Sequence, residues 1–445
     1  MKIKELLKNR VAKNIGWLIS GKLIVKILAF LVGIFTARYL GPSNLGLIDY
    51  AGAYIAFFSA ICTLGINSVI VKHFVEEPKR EGETLGTAIV MRIVSSLMSA
   101  VTIIGIVAIV DRGEAVTIVV VTLCTAGLLF QAFDTINYWF QAKLQSKYST
   151  IALLIASVIL AGYRILMLVL GKSVKWFALA SAIEYAALAA ALLFLYFYMG
   201  GPRLSFKLDR AKTILKSGSG FIITGLMVSL YACTDRIMLK QMMDEGSVGF
   251  YSLAVSISMT WVFVLSAFID SMYPGIVKAF GEDRTRYERR NKQLYALVFY
   301  LALGMSAVIC IFARPFVSFI YGEAYLPAIR PLRIVVWYTA FSFLGVARNT
   351  WIVCENKQRY LKYLYVGAAL TNVLLNLLLI PRWGASGAAA ASLVTQITTV
   401  VIPAFIPALR PSAKLMLDAV MLKGVFEANT GGKASEAGNI GKHGG

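Results

Sequence analysis

The chain has 445 residues, of which 58% are hydrophobic and only 15% are charged, and its mean hydropathy is +0.72. Soluble domains typically carry about 25% charged residues, so this composition excludes an ordinary soluble protein. The formal net charge of +21 raises the possibility of a nucleic-acid partner. We reject that reading because the basic residues are sorted by membrane topology, and no nucleic acid is expected as a partner.

Twelve stretches of the chain are long and apolar enough to cross a membrane, since a span needs about 20 mostly apolar residues. The predicted spans are 15–38, 46–71, 85–110, 116–140, 150–170, 176–199, 213–239, 247–276, 293–313, 332–354, 361–380 and 386–409. The basic N-terminal segment "MKIKELLKNRVAKN" lacks the pattern of a cleavable signal peptide. The sequence therefore predicts an all-α polytopic membrane protein that keeps its first span.

The basic residues indicate the orientation of these spans. With a cytoplasmic N-terminus, and with Lys216, Arg333 and Lys362 at the span ends counted with the adjoining loops, about 29 of the 44 Lys and Arg fall in the tails and even-numbered loops, about 8 in odd-numbered loops and 7 within spans. This asymmetry follows the positive-inside rule and predicts that both termini are cytoplasmic. We interpret the two largest basic clusters, 203–216 and 278–292, as topology determinants that also attract anionic lipid.

Motifs for catalysis, nucleotide binding and metal binding are missing from the sequence. The five cysteines lie in apolar runs without CxxC spacing, and the two histidines belong to no cluster with metal-ligand spacing. There is no P-loop, no GxGxxG before a helix and no GxSxG. We expect neither an enzyme nor a bound metal or cofactor.

The two halves of the chain contain similar segments in the same order. "NYWFQAKLQSKY" (137–148) aligns without gaps with "NTWIVCENKQRY" (349–360) at an offset of 212, and "NLGLIDYA" (44–51) resembles "SVGFYSLA" (247–254). Six spans in each half give both copies the same orientation, so this is a parallel repeat with a pseudo-two-fold axis along the membrane normal. A cleft between two such bundles suits alternating access, whereas some membrane enzymes contain duplicated bundles without transport.

The repeat and the spans predict five regions. They are a cytoplasmic N-terminal segment (1–14), an N-lobe (15–199), a cytoplasmic linker (200–212), a C-lobe (213–409) and a cytoplasmic tail expected to be disordered (410–445).

Two lysines in the first span stand out because charges inside a membrane usually face a cavity or a partner. Lys26 follows Ile15 by 11 residues, which at about 1.5 Å per residue places it about 16 Å into a hydrocarbon core of about 30 Å. Lys22 lies one turn below Lys26 on the same face. For Lys26 we favour a cavity; Lys22 could equally extend its ammonium group to the interface.

Apart from Lys216, Arg333 and Lys362, which lie within four residues of a span start, the spans hold seven cations against five acids. Because Lys and Arg bind phosphate oxygens, the surplus favours an anionic substrate such as a diphosphate over a cationic drug. The candidate substrate-binding residues are Lys22, Lys26, Arg38, Arg92, Arg164 and Arg348. The candidates for proton or sodium coupling are Glu184, the deepest acid, with Asp134 and Asp270. For Asp235 with Arg236, a structural ion pair and a functional role both stay open.

The segment "GIFTARYLGPSNLGLIDYAGAYIAFFSAICTLGINSVIVKHF" (33–74) resembles the first hairpin of bacterial polysaccharide flippases of the Wzx type. "LLLIPRWGASGAAAAS" (377–392) is similar to the next-to-last loop of this family, and the resemblance covers most of residues 10–410. The family belongs to the multidrug/oligosaccharidyl-lipid/polysaccharide exporter superfamily, and some of its members have fourteen spans.

The resemblance implies a MATE-like fold with two six-helix lobes across a central cavity. It implies that the chain flips an undecaprenyl-diphosphate-linked oligosaccharide to the outer leaflet of the bacterial cytoplasmic membrane, and that Lys22, Lys26 and Arg164 contact the pyrophosphate and sugar. The expected partners are this lipid-linked oligosaccharide, membrane lipids and other glycan-assembly proteins. The alternatives are an ion-coupled drug exporter of the same fold and an integral membrane glycan polymerase or ligase.

Overall fold

The structure, a computed structural model, describes residues 10–425, and within them it is helical without any strand. The helices of the first half are α1 (Arg10–Cys62), α2 (Asn67–Glu76), α3 (Glu81–Val110), α4 (Ala115–Thr125), α5 (Gly127–Gln131), α6 (Thr135–Ala142), α7 (Ser146–Val169), α8 (Val174–Ala178) and α9 (Ala180–Tyr198). The helices of the second half are α10 (Leu208–Met242), α11 (Glu245–Met259), α12 (Phe263–Glu282), α13 (Arg284–Tyr321), α14 (Ile329–Val335), α15 (Tyr338–Cys354), α16 (Leu361–Trp383), α17 (Ala385–Val401) and α18 (Arg410–Val420).

Nine helical stretches of the described chain are long and apolar enough to cross a membrane, and ten if the bent pair Glu323–Val335 and Tyr338–Cys354 forms one span. The first of them, Ser20–Cys62, has 43 residues and covers the predicted spans 1 and 2. The prediction of an all-α, multi-pass membrane protein is confirmed, and the count of twelve spans stays a prediction.

Helix α1 contains two helical segments joined at a kink. Gly41 has φ 71° and ψ 173°, and Pro42 follows it. Positive φ is accessible to glycine without a side-chain penalty, and proline cannot donate a backbone hydrogen bond within a helix. The "LGPS" turn that separates the first two predicted spans is therefore a sharp break within one helical run.

Contacts divide the described chain into two units, each with its own apolar core. Unit 1 holds the described residues up to Ile257 together with Ile311–Val335 and Tyr365–Thr395. Unit 2 holds Ser258–Cys310, Val336–Leu364 and the described residues from Gln396 onward. The core of unit 1 is centred on Trp139 and its neighbours on α2, α3 and α9, and that of unit 2 on Trp351 with α12, α13 and α18. The predicted division into two six-helix lobes at 200–212 stays a prediction.

The parallel repeat is visible in the backbone at the predicted offset. Leu144 and Asn356, which are 212 residues apart, follow α6 and α15 and have almost the same positive φ, 54° and 53°. Trp139 and Trp351, also 212 residues apart, are both buried, with 2% and 1% of their surface exposed. Non-glycine residues with positive φ are uncommon, so their match at equivalent positions supports the repeat independently of the sequence alignment.

The linker before α10 is extended and lies along α3. Ser205 donates its backbone N–H to the carbonyl oxygen of Gly82 at 3.2 Å, and Lys207 donates its N–H to Oγ1 of Thr87 at 3.0 Å. The linker is thus fixed to α3 before α10 begins.

The segment after residue 409 departs from the expectation of a disordered tail. Residues Arg410–Val420 form α18, which is fixed to α13 by an ion pair from Lys292 to Asp418 at 2.8 Å and by a hydrogen bond from Tyr300 Oη to the carbonyl oxygen of Val420 at 2.6 Å. The sequence prediction missed this helix because a short segment of mixed polar and apolar residues does not have the apolar length of a span. Residues 426–445 of the predicted tail, like residues 1–9 of the N-terminal segment, lie outside the described residues.

Candidate functional site

The three predicted cations of α1 are exposed, and two of them are the lysines of the first span. Lys22 and Lys26 are both exposed, and among residues 10–425 neither side chain has a hydrogen bond or an ion pair. Helix packing therefore accounts for neither charge. Arg38, farther along α1, is also exposed and lies beside Gly322.

A small cavity of about 30 Å³ lies in unit 1 between α1, α7 and α9. Its polar lining comes from Ser157, Arg164 and Glu184, and its apolar wall includes Val25 and Ala29 of the lysine-bearing stretch. The buried hydroxyl of Ser157 has no hydrogen-bond partner among the described residues. The volume and the polar lining suit one water molecule.

Arg164 and Glu184 belong to one network of charges. Arg164 is attracted by both Glu184 and Asp49, and Asp49 accepts a hydrogen bond from Ser252 and is attracted by Arg236. Arg236 in turn donates from Nε to Oγ of Ser252 at 3.0 Å. The structure thus brings together a predicted substrate-binding residue, Arg164, and a predicted coupling residue, Glu184, and compensates part of the charge of each.

Two other predicted arginines lie inside the helix packing. Arg92 is 2% exposed and donates from Nη1 to Oγ1 of Thr135 at 2.9 Å; the carboxylate of Asp134 attracts it. Arg348 is 4% exposed and donates from Nη1 to the carbonyl oxygen of Thr399 at 2.8 Å. Such contacts are what stabilise a buried arginine, and a substrate role for either residue stays a prediction.

The two remaining coupling candidates, Asp134 and Asp270, are not among the carboxylates that attract Arg164. Asp134 accepts a hydrogen bond from Nδ2 of Asn137 at 3.1 Å. Asp270 is an exposed residue of α12 in unit 2.

Sequence reasoning did not assign a site to the most densely hydrogen-bonded carboxylate in unit 1, that of Asp235. This residue is 4% exposed, and its Oδ1 accepts hydrogen bonds from Nδ2 of Asn372 at 2.9 Å and of Asn376 at 2.6 Å. The hydroxyls of Tyr251 and Ser392 bind its Oδ2. The side chains of α10, α11, α16 and α17 therefore converge on one buried acid.

The sequence contained a signal for this cluster in two asparagines four residues apart within an apolar span. Residues at that spacing share a helix face, and polar side chains inside spans are often functional. A carboxylate with hydroxyl and amide neighbours can exchange a proton. The same groups supply the oxygen ligands that hard cations prefer, with the two amides turned so that their oxygens face the cation.

Within residues 10–425, no group of three or more His, Cys, Asp or Glu side chains is arranged to hold a metal ion. All five cysteines lie in this part of the chain and are free thiols.

Comparison with known families gives two matches. The family described as polysaccharide biosynthesis protein matches residues 11–280, and the MatE family matches residues 221–378. A search of curated proteins found no match.

Solved structures with the same fold include transporters and a flippase. An inward-facing multidrug resistance MATE family transporter of the MOP superfamily is 18% identical, with a TM-score of 0.70 over 87% of this chain and 95% of that chain. Lipid II flippase MurJ in an inward closed conformation is 12% identical, with a TM-score of 0.73 over 92% of each chain. An outward-facing MATE transporter is 18% identical and has a TM-score of 0.57 over 92% of this chain and 98% of that chain. At these identities the similarity establishes the fold.

Proposed function

The chain belongs to the polysaccharide biosynthesis protein family, and we propose that it is a flippase for an undecaprenyl-diphosphate-linked oligosaccharide. It would move the substrate from the cytoplasmic to the outer leaflet by alternating access, as a transporter without catalytic chemistry. The fold similarity to both a lipid II flippase and MATE transporters supports a transport function. The site residues support the choice of substrate.

The exposure of Lys22 and Lys26 is the observation that carries the proposal. An ammonium group that faces lipid near the bilayer centre costs about 2.5–3.5 kcal/mol on insertion scales. The depth calculated for Lys26 therefore favours a water-filled cavity over a lipid-facing position. A cavity that exposes uncompensated ammonium groups attracts anions, and a lipid diphosphate supplies several phosphate oxygens that ammonium groups bind.

The proposal assigns ion coupling to Asp235. Its carboxylate is buried, whereas the predicted candidate Glu184 already interacts with Arg164. Loss or gain of one positive charge at Asp235 would change its hydrogen bonds to Asn372 and Asn376 of α16 and to Tyr251 of α11. Occupancy by a proton or a sodium ion would in this way alter helix packing.

The proposed location is the bacterial cytoplasmic membrane with both termini in the cytoplasm, as the distribution of Lys and Arg predicts. The expected partners are the lipid-linked oligosaccharide, membrane lipids and other proteins of glycan assembly. The proposed orientation places the linker 200–212 and residues 278–292 on the side where the substrate is made.

The test replaces Lys26 by Ala in cells whose surface glycan depends on this chain. We expect glycan export to fall at least tenfold at equal protein level, with lipid-linked intermediates accumulating in the inner leaflet. Lys26→Arg keeps the charge and should retain part of the export. Lys79→Ala, which removes an exposed lysine outside the predicted spans, is the matched control. Normal export by Lys26→Ala would contradict the proposal.

The same cells distinguish the alternatives. An ion-coupled drug exporter, which the MATE-like fold also permits, would alter drug sensitivity and leave surface glycan unchanged when the gene is deleted. A glycan polymerase or ligase would leave lipid-linked intermediates in the outer leaflet.

A further inference from the structure

Unit 2 contains a cavity of about 430 Å³ where the middle of α12 faces the first turns of α13. Its polar lining comes from Arg286, Arg289, Arg290, Gln293 and Ser271. Three guanidinium groups and no carboxylate line this space, which we call the arginine pocket. Membrane topology and general attraction to anionic lipid are the sequence-based explanations of the basic cluster 278–292, and neither predicts a pocket.

The positions of the arginines on α13 show why they converge. Arg286, Arg289, Arg290 and Gln293 follow the spacing i, i+3, i+4 and i+7, which places them on one face of a helix. The acid Glu288 lies off this face and binds Arg284 at 3.0 Å. Topology requires basic residues on one side of the membrane, but it does not require them to line a common pocket.

Arg290 lies against the bare backbone of α12. A Cβ atom added at Gly275 would lie 2.1 Å from Nη1 of Arg290, so the absence of a side chain at this position makes room for the guanidinium group. Among residues 10–425, Arg290 has neither an ion pair nor a hydrogen bond. Its donors therefore remain available to a ligand in the pocket.

Arg286 is partly compensated at the rim. Its Nη1 lies 3.5 Å from Oε2 of Glu282, and 43% of its side chain is exposed. An ion pair at that distance and exposure is weak, so it leaves the pocket with a net positive charge.

We propose that the arginine pocket binds a phosphate group. Arginine presents planar pairs of N–H donors that match phosphate oxygens, and Ser271 and Gln293 add neutral hydrogen-bonding groups at the wall. The volume admits a phosphate or a diphosphate with its first substituent. The phosphate could belong to an anionic phospholipid or to a soluble phosphate compound, and the inference does not rest on the identity of the transported substrate.

The experiment measures binding to the purified full-length chain in phosphatidylcholine nanodiscs. One arm titrates inorganic pyrophosphate, and the other titrates dioctanoyl phosphatidylglycerol, with dioctanoyl phosphatidylcholine as the neutral lipid. Binding of pyrophosphate alone would identify a site for soluble phosphates, and binding of phosphatidylglycerol alone a lipid site. Saturable binding of neither would overturn the proposal.

Variants separate the pocket from general electrostatics. Arg290→Gln should weaken binding on the order of tenfold or more, because it removes charged hydrogen bonds. The affinity of Arg290→Lys should lie between those of the parent protein and Arg290→Gln, because lysine keeps the charge but lacks the paired N–H donors of a guanidinium group. Gly275→Ala should also weaken binding, because its Cβ displaces Arg290 without changing the charge.

Lys278→Gln is the matched control. Lys278 lies near the end of α12, its side chain is 73% exposed, and it does not line the pocket. Its replacement removes the same charge and should leave binding unchanged. An equal loss in Lys278→Gln and Arg290→Gln, with both proteins folded by their thermal unfolding midpoint, would overturn the proposal.

Discussion

Gly46 of α1 and Gly249 of α11 pack against each other in a reciprocal contact. A Cβ atom at Gly46 would lie 1.8 Å from the carbonyl oxygen of Glu245, and one at Gly249 would lie 2.1 Å from the carbonyl oxygen of Pro42. Each glycine thus packs against the carbonyl group of the residue that lies four positions before the other glycine. The two residues occupy equivalent places in the repeated segments 44–51 and 247–254, so the contact has the self-complementary form expected at a two-fold axis.

This contact predicts a strong effect of a single methyl group. Gly46→Ala or Gly249→Ala places Cβ on backbone atoms that no rotamer change can move, so the helices must separate. Overpacking of this kind costs about 1–3 kcal/mol, and we expect a lower midpoint of thermal unfolding in detergent. Gly52→Ala on the same helix is the control, since its Cβ would meet nothing within 4 Å. A midpoint unchanged from the parent protein in Gly46→Ala would contradict the packing described.

A second pair of equivalent contacts has reversed charges. In unit 1, Oε2 of Glu81 lies 2.9 Å from Nζ of Lys143. In unit 2 the first residue of α13, Arg284, binds Glu355, and these residues follow Glu81 and Lys143 by 203 and 212 positions. The repeat has kept the ion pair between the same two helix ends and exchanged its acid and base.

Exchange of the acid and the base in the Glu81–Lys143 pair should therefore be tolerated in part. Glu81→Arg and Lys143→Glu each leave a charge unpaired and should lower the free energy of unfolding by about 1–3 kcal/mol. The double variant should recover most of this loss, but not all, because Trp139 donates from Nε1 to Glu81 at 2.7 Å and arginine cannot accept. A double-mutant cycle on thermal unfolding measures the recovery, and simple additivity would refute it.

The pair Glu77–Arg210 predicts a pH dependence. Arg210 donates from Nη1 to Oε1 of Glu77 at 2.9 Å, and this hydrogen bond is the main cause that lowers the pKa of Glu77 to about 2, from an ordinary value of 4.5. A lowered pKa in the folded state stabilises the protein above the ordinary value, and the contribution is lost as the pH falls from 4.5 towards 2.

The variant Glu77→Gln isolates this contribution. Its thermal unfolding midpoint should lie below that of the parent protein at pH 7, and the difference should vanish as the pH falls towards 2. Glu76→Gln is the matched control, because Glu76 makes only an exposed pair with Lys72 at 3.7 Å. A difference between Glu77→Gln and the parent that stays constant from pH 7 to pH 3 would rule out the ion pair as its source.

The all-helical, multi-pass fold was predictable from the sequence because hydrophobic length acts locally along the chain. The repeat was predictable because Trp139 and Trp351 occupy equivalent turns. The helix Arg410–Val420 was missed, since its stability comes from contacts with Lys292 and Tyr300 of α13 rather than from its own apolar length.

The sequence predicted which charged residues lie within the spans, but it did not predict which of them lie together in the structure. Lys22 and Lys26 were identified from depth alone, and the structure leaves them exposed. Arg92 was identified by the same argument, yet it is buried against Thr135. Periodicity gives the depth of a residue in the membrane, whereas the direction of its side chain depends on which helices pack beside it. The Asp235 cluster joins four helices and for the same reason required the three-dimensional structure.

Asp235→Asn provides the last prediction, because it removes the buried charge with little change in shape. If a cation binds at Asp235, the parent protein should gain thermal stability in sodium chloride relative to choline chloride at equal ionic strength, since a ligand of the folded state raises its stability. If a proton is the coupling ion, sodium will have no effect and transport will depend on pH. In either case Asp235→Asn should lose the dependence on sodium or on pH, and it should export glycan at least tenfold less than the parent at equal protein level.

Glu184→Gln and Asp270→Asn, measured in the same assays, compare the sequence-based candidates with Asp235. Glu184 interacts with Arg164, so its replacement should alter the local charge balance without removing the ion dependence. Retention of full ion dependence and export by Asp235→Asn would exclude Asp235 as the coupling residue. Loss of both in Glu184→Gln would instead assign coupling to the α7–α9 cavity, where the Glu184 carboxylate and the Ser157 hydroxyl would have to receive the ion.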